Sequence, residues 1–186
     1  MDEPGRKDIR LGGWDYSSHS CYHVTICTRD RLPILGTVVD AGDLLAAPYV
    51  ELSPVGRCCK EVLEEIAADT RKARLLNYVV MPNHVHLLVW IRADVQEPVS
   101  LQGFVRFFKS RATNAARRVG VGEDLWQKSF YDVIVRDDEM LNAVWEYIDG
   151  NPAKWADDEY HDAPSAHAPY GRGRTECAPT GDNTPT

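Results

Sequence analysis

The sequence predicts an α+β protein with a ferredoxin-like (RRM-like) antiparallel sheet of order βαββαβ, followed by a C-terminal helix. Three observations predict this fold. The run 78–90 indicates a hairpin, because apolar residues stand on both sides of the turn Met81-Pro82-Asn83. Two further segments, 21–28 and 130–135, have the composition of strands. Two others begin at a serine and carry an apolar stripe at helical spacing, as amphipathic helices do.

The first half of the chain is expected to begin with a strand over 21–28, since apolar and polar residues alternate there. One face of this strand comprises Tyr22, Val24 and Ile26, and the other comprises His23, Thr25 and Cys27. A turn-rich connection over 29–49, part of which suits a small ribbon, follows the strand. A helix over 54–73 comes next, which Ser53 caps and Pro54 begins.

The second half is expected to supply three strands and two helices. Strands over 75–80 and 84–91 form the hairpin, and Ser100 caps a helix with an apolar face. A strand over 130–135 follows, and the acids at 137–139 suit the start of the last helix. The two long helices should cover one face of the sheet. The last helix alone can then reach the other face.

Length and composition indicate one cytoplasmic domain. No apolar run approaches the ~20 residues that span a bilayer, so no membrane association is expected. The N-terminus is polar and lacks the apolar core of a signal peptide. The 5 cysteines form no Cys-x-x-Cys pair, which suggests free thiols in a reducing compartment. Residues 156–186 are expected to be a disordered tail, because 163–186 is rich in Pro, Gly, Thr and Ala.

The net charge is −7, which is unusual for a nucleic-acid-binding protein, but the charge is unevenly distributed. The segment 100–118 contains basic residues and no acid. Its candidates for binding DNA phosphates are Arg106, Lys109, Arg111, Arg117 and Arg118. Lys128 and Arg136 flank the predicted fourth strand and are further candidates. The alternative is that all these residues form an ordinary solvated surface.

Two short patterns carry the chemistry. His84 and His86 are two apart on a strand, so both imidazoles lie on one face and can bind one metal ion. The alternative is a pair of polar residues on a solvated face. Tyr147 and Asn151 are four apart on a helix, one turn from each other. Together these parts suit a metal-assisted tyrosine nucleophile.

Four motifs in order resemble the HUH single-tyrosine transposases of the IS200-like group, and most closely the REP-associated tyrosine transposases of bacteria. They are Tyr-His-Val-Thr-Ile-Cys-Thr at 22–28, Met-Pro-Asn-His-Val-His-Leu-Leu at 81–88, Trp-Gln at 126–127 ahead of 130–136, and Tyr-Ile-x-x-Asn-Pro at 147–152. Any one motif is weak, whereas four in the right order are specific. The resemblance covers residues 10–155 and implies that these form the transposase-like domain.

The resemblance implies a metal-dependent endonuclease and strand transferase for single-stranded DNA, acting through a 5′-phosphotyrosine on REP-type hairpins. It implies Tyr147 as the nucleophile and His84, His86 and Asn151 as ligands of Mg²⁺ or Mn²⁺. It also implies a nucleoid-associated protein, either a monomer or a homodimer.

Several alternatives remain beside this interpretation. Tyr131 is a rival nucleophile, although its shared face with Val133 and Val135 predicts a core position. His23 is a rival third ligand, for which a surface polar position is expected. The main alternative function is a non-catalytic, RRM-like module that binds single-stranded nucleic acid. Another is a metal hydrolase that activates water, with Tyr147 only structural.

Overall fold

The structure is a computed structural model that describes residues 15–40, 42, 47–71, 73–121, 124–158 and 160–161. The strands, in chain order, are β1 (Ser20–Cys27), β2 (Gly36–Val39), β3 (Tyr49–Leu52), β4 (Ala73–Val80), β5 (His84–Ile91) and β6 (Tyr131–Val135). The helices are α1 (Pro54–Ala68), α2 (Leu101–Arg117) and α3 (Asp138–Gly150). Short 3₁₀ helices span Arg29–Arg31 and Pro152–Asp157.

The main sheet has four strands in the order β4-β5-β1-β6, and every neighbouring pair is antiparallel. With α1 between β1 and β4 and α2 between β5 and β6, this is the predicted ferredoxin-like βαββαβ arrangement. The two central strands are β5 and β1, and β6 forms one edge. The separate ribbon pairs β2 with β3. A small ribbon was expected within the connection 29–49, and its second strand instead begins at Tyr49 and ends at Leu52.

Side-chain caps begin all three α-helices. Ser53 Oγ accepts from Gly56 N at 3.1 Å, and Ser100 Oγ accepts from Gly103 N at 3.1 Å. Both serine caps are those that the sequence predicts. Asp137 begins α3 in the same way, since its carboxylate accepts from the third residue of the helix.

The predicted length of α1 is wrong, because the helix ends at Ala68 rather than near residue 73. Ala73 is already the first residue of β4, where it pairs with Ile91 across the sheet. Ladder hydrogen bonds and the burial of Ala73 (5% exposed) outweigh the continued helical pattern of the sequence.

The main core lies between one face of the sheet and the two long helices. Val85, Leu87 and Val89 of β5 enter it together with the apolar faces of α1 and α2, as predicted. A smaller cluster on the opposite face joins Leu88 to Ile148 of α3. The last helix therefore packs on the histidine face of the sheet.

Both ends of the chain extend past the described residues. Residues 1–14 and 162–186 lie outside them, and so does most of the predicted tail. The predicted domain end at residue 155 falls inside the 3₁₀ helix Pro152–Asp157, and Tyr160 beyond it is buried. No helix in the described ranges is both long enough and apolar enough to cross a membrane.

Candidate active site

Two histidines from a central strand form the middle of the site. Alternation along β5 places His84 and His86 on one face while Val85 and Leu87 enter the core. Both imidazoles are buried, and their Nε2 atoms are 3.0 Å apart. Two cis ligands of an octahedral ion at about 2.1 Å would be about 3.0 Å apart. This pair can therefore hold one divalent ion.

Hydrogen bonds to the other ring nitrogens orient the pair. His84 Nδ1 lies 2.9 Å from the Asn83 side-chain oxygen, which can only accept. His84 Nδ1 therefore carries the proton, and its Nε2 keeps a lone pair for a metal ion. His86 Nδ1 lies 3.0 Å from the Thr25 hydroxyl and 3.1 Å from His23 Nε2. Both metal-binding candidates are thus held by neighbouring side chains.

His23 is part of this cluster, and its predicted surface position is wrong. It is half-buried, and its ring centroid lies 5.6 Å from the Tyr147 ring. The sequence placed His23 on the correct face of β1. The last helix was expected to reach that face, but no pattern indicated that Tyr147 would lie against the His23 imidazole.

Burial lowers the pKa of each imidazole in the cluster. The pKa of His23 falls to about 4 and that of His84 to about 3; for His84 the charges of Arg31 and His23 add to burial. The pKa of His86 is lowered well below 6.5 by burial and then by its two histidine neighbours. The cluster is therefore neutral near pH 7, so protons do not compete with a metal ion there.

Two oxygen donors are candidates for completing the metal site. Asn151, predicted from the sequence, is buried, and its side-chain oxygen lacks a hydrogen-bond partner within the described part of the chain. A buried acceptor without a partner is costly, and a cation would satisfy it. Asp158, which the sequence analysis missed, offers a carboxylate oxygen within 4.8 Å of the ligand atoms of His84 and His86. The residues present therefore fit a divalent ion.

The last turn of α3 brings Tyr147 to the histidines. Its hydroxyl lies 3.5 Å from His86 Nε2, and its ring meets the His86 ring edge-on with centroids 5.1 Å apart. The same turn ends at Gly150, and glycine lowers helix propensity. In the structure Asp149 accepts from Asn77 of β4 at 2.8 Å, which ties the turn to the sheet.

The rival tyrosine is not a core residue, so that prediction is wrong. Tyr131 is 44% exposed and Val133 is 48% exposed. Tyr131 pairs with Thr25, and Val133 pairs with His23, so both lie on the histidine face of the sheet. Their strand is at the edge, and α3 packs mainly over β4 and β5, which leaves this part of the face open.

The segment after α3 returns to the histidines, which no sequence pattern indicated. Tyr160 is 6% exposed, and its ring centroid lies 4.8 Å from that of His84. Asn83 Nδ2 donates to the Tyr160 carbonyl at 2.6 Å, and the Arg31 guanidinium lies 4.9 Å from the Tyr160 ring. The metal-binding candidates therefore have a structured wall on this side.

The predicted DNA-binding residues of α2 do not converge on the histidines. The cations of α2 lie across the sheet from Tyr147, because α2 packs on the opposite face. Arg111 pairs with Glu65 of α1. Lys109 Nζ donates to the carbonyls of Gln127 and Ser129, each at 2.8 Å, and burial lowers its pKa to about 8. The exposed members are Arg106, Arg111, Arg117 and Arg118 on α2, and Lys128 and Arg136 beside β6.

Comparisons with known proteins agree with the fold. The sequence profile of the family described as "Transposase IS200 like" matches residues 16–151. An uncharacterised protein of Haemophilus influenzae is 28% identical over 174 residues, which cover 84% of this chain and 93% of that protein. A REP-associated tyrosine transposase solved bound to a REP hairpin superposes with a TM-score of 0.52 at 18% identity. That match covers 83% of this chain and 74% of the other.

Proposed function

Because this chain belongs to the IS200-like transposase family, we propose that it is a metal-dependent endonuclease and strand transferase for single-stranded DNA hairpins. The observation that carries the proposal is the placement of the Tyr147 hydroxyl 3.5 Å from Nε2 of a buried histidine pair. A nucleophile beside a candidate metal site is the arrangement that phosphoryl transfer requires.

In the proposed reaction Tyr147 Oη attacks the scissile phosphate. One bond forms between the phenol oxygen and phosphorus, and the bond from phosphorus to the DNA 3′-oxygen breaks. The phenol proton is released, and the departing 3′-oxygen takes up a proton, leaving a 3′-hydroxyl and a 5′-phosphotyrosine. Phenols ordinarily ionise near pH 10, far below water, so the phenol is also a good leaving group. A second 3′-hydroxyl can therefore reverse the step without ATP.

His84 and His86 would hold the divalent ion with an oxygen from Asn151 or Asp158. A mixed set of imidazole and oxygen ligands suits Mn²⁺ or Mg²⁺. When bound, the ion supplies Lewis-acid stabilisation of the charge on the phosphoryl oxygens and on the departing oxygen. The neutral state of the imidazoles at pH 7 supports this role, because their lone pairs are available.

Hairpin DNA is the substrate class we propose, since the REP-associated relative of similar fold was solved with a REP hairpin. The exposed arginines of α2 would neutralise phosphates at a distance from the cleavage site, because they lie across the sheet from Tyr147. In this arrangement the hairpin stem contacts the helical side of the molecule, and its single-stranded flank enters the histidine face.

The test is to incubate the protein with hairpin-bearing single-stranded DNA and Mn²⁺ and to look for a covalent adduct on a denaturing gel. Tyr147→Phe should fold and bind DNA but form no adduct, because it removes only the phenol oxygen. Tyr49→Phe is the matched control, since Tyr49 is an exposed tyrosine of the separate ribbon. Its adduct yield should equal that of the wild type.

Three results would contradict parts of the proposal. An adduct that peptide mapping places on Tyr131 would move the nucleophile but keep the enzyme class. If Tyr147→Phe still cleaves the DNA and no adduct forms, water is the nucleophile. Tight binding without any cleavage would favour the non-catalytic RRM-like module.

A further inference from the structure

The edge of the sheet beside the site exposes an unusual pair of side chains. Tyr131 and Val133 are about half-exposed, although both lie on the face that carries the histidines. Large apolar side chains on an open edge strand are a liability for aggregation, so proteins rarely keep them there without a use. These two side chains define an open platform on β6.

The platform is in register with the catalytic candidates. Tyr131 pairs with Thr25, which pairs in turn with His86, so the three residues form one row across β6, β1 and β5. Neighbouring strands are about 4.8 Å apart, which places the Tyr131 backbone roughly 10 Å from that of His86. A nucleotide adjoining a phosphate at the histidines therefore passes within reach of the Tyr131 ring.

We propose that Tyr131 is a base-stacking residue that holds a base of the single-stranded DNA next to the scissile phosphate, with Val133 as the neighbouring apolar support. This inference rests on the proposed function. Every base has a flat aromatic face, and tyrosine rings on exposed sheet surfaces stack on such faces in single-strand-binding proteins. Tyr131 is then a positioning residue, and it forms no covalent bond.

Charge at the ends of the strand favours a nucleic acid as the occupant. Lys128 and Arg136 flank β6 and are exposed, and neither forms an ion pair with another described residue. Three acids, at 137, 138 and 139, follow Arg136 directly, so Lys128 marks the positive end of the strand. An aromatic platform with a cation at one end matches a strand with stacked bases and an anionic backbone. A second copy of this acidic chain is a poorer electrostatic match.

The experiment measures the binding of fluorescent hairpin DNA carrying a single-stranded flank, in EDTA so that no cleavage occurs. Tyr131→Ala should weaken binding about five- to one-hundred-fold, the range for losing one base–aromatic stack. Tyr131→Phe should restore the affinity, since it keeps the ring. Tyr49→Ala is the matched control and should bind as the wild type does, because Tyr49 is an equally exposed tyrosine of the ribbon.

An abasic scan of the flank then locates the stacked base. Removing that base should weaken wild-type binding, yet cost little further in Tyr131→Ala, because both changes remove the same contact. Equal losses in both proteins at every position would overturn the inference. So would unchanged binding by Tyr131→Ala. A wild-type dimer that Tyr131→Ala dissociates, with DNA affinity unchanged, would overturn it in favour of a second copy.

The readouts separate this inference from the proposed function. If an adduct forms on Tyr147 but Tyr131→Ala does not change DNA affinity, the proposed function is supported and the base-stacking role of Tyr131 is refuted. Position-specific coupling between Tyr131 and one base would support the platform even if no adduct formed.

Discussion

Acid should unfold this protein through its buried histidine cluster. The pKa of His23 is lowered to about 4 and that of His84 to about 3, and the pKa of His86 is also lowered. Unfolded histidines take up protons near pH 6.5, whereas the folded cluster remains neutral to well below pH 5. The unfolded state therefore binds more protons over this range, and the free energy of unfolding falls as the pH falls.

The size of the effect follows from these pKa values. Between pH 7 and pH 5 a histidine with an unfolded pKa of 6.5 that stays neutral in the fold costs about 2 kcal/mol. Three such residues cost about 5 kcal/mol together, with the half-buried His23 contributing least. That sum is comparable to the whole stability of many domains, which is about 5–15 kcal/mol. We therefore expect the free energy of unfolding to be much smaller at pH 5 than at pH 7.

Urea unfolding at pH 7, 6 and 5, followed by the fluorescence of the 5 tryptophans in EDTA, measures this loss. His86→Gln should reduce the loss by about 2 kcal/mol, whatever its stability at pH 7. His19→Gln is the control for a histidine outside the cluster, because the His19 side chain is 49% exposed. A stability that is flat between pH 7 and pH 5 would refute the reasoning, and so would an equal slope in His86→Gln.

Three further outcomes are expected. His86→Ala should abolish cleavage and weaken Mn²⁺ binding in calorimetry. Its unfolding should stay cooperative, because Val85 still anchors the strand in the core. Full cleavage activity in this variant would refute the metal site. Arg106→Glu combined with Arg118→Glu should lower the salt slope of single-strand binding by roughly 1.4, and an unchanged slope would mark both as solvated. Gly150→Ala should raise the free energy of unfolding by up to about 1 kcal/mol in urea titrations, since an added Cβ meets nothing within 4 Å. A lower free energy of unfolding in this variant would contradict the prediction.

The parts of the fold that depend on local pattern were predictable. Period-two alternation placed His84 and His86 together, and the serines placed the starts of α1 and α2. The end of α1 was not predictable in this way. It depends on the pairing of Ala73 with Ile91, a contact between residues distant in sequence.

Which other residues lie near the histidine pair depends on how α3 packs on the sheet. The burial of His23 and the exposure of Tyr131 both follow from where α3 lies on the sheet. Alternation gave the face of each residue, but it did not reveal which part of that face a helix would cover. Asp158 and Tyr160 reach the histidines through a return of the chain that leaves no periodic signal.

The helix that carries Tyr147 is fastened to the sheet at both of its ends. Its first turn continues directly from β6, and its last turn is tied to Asn77. The chain beyond it is held where Asn83 donates to the Tyr160 carbonyl. For α3 to be exchanged with a neighbouring molecule, all these contacts would have to break at once. Tyr147 therefore lies beside the histidines of its own chain. Under the proposed reaction, a DNA strand cut here would stay attached to the molecule that cut it.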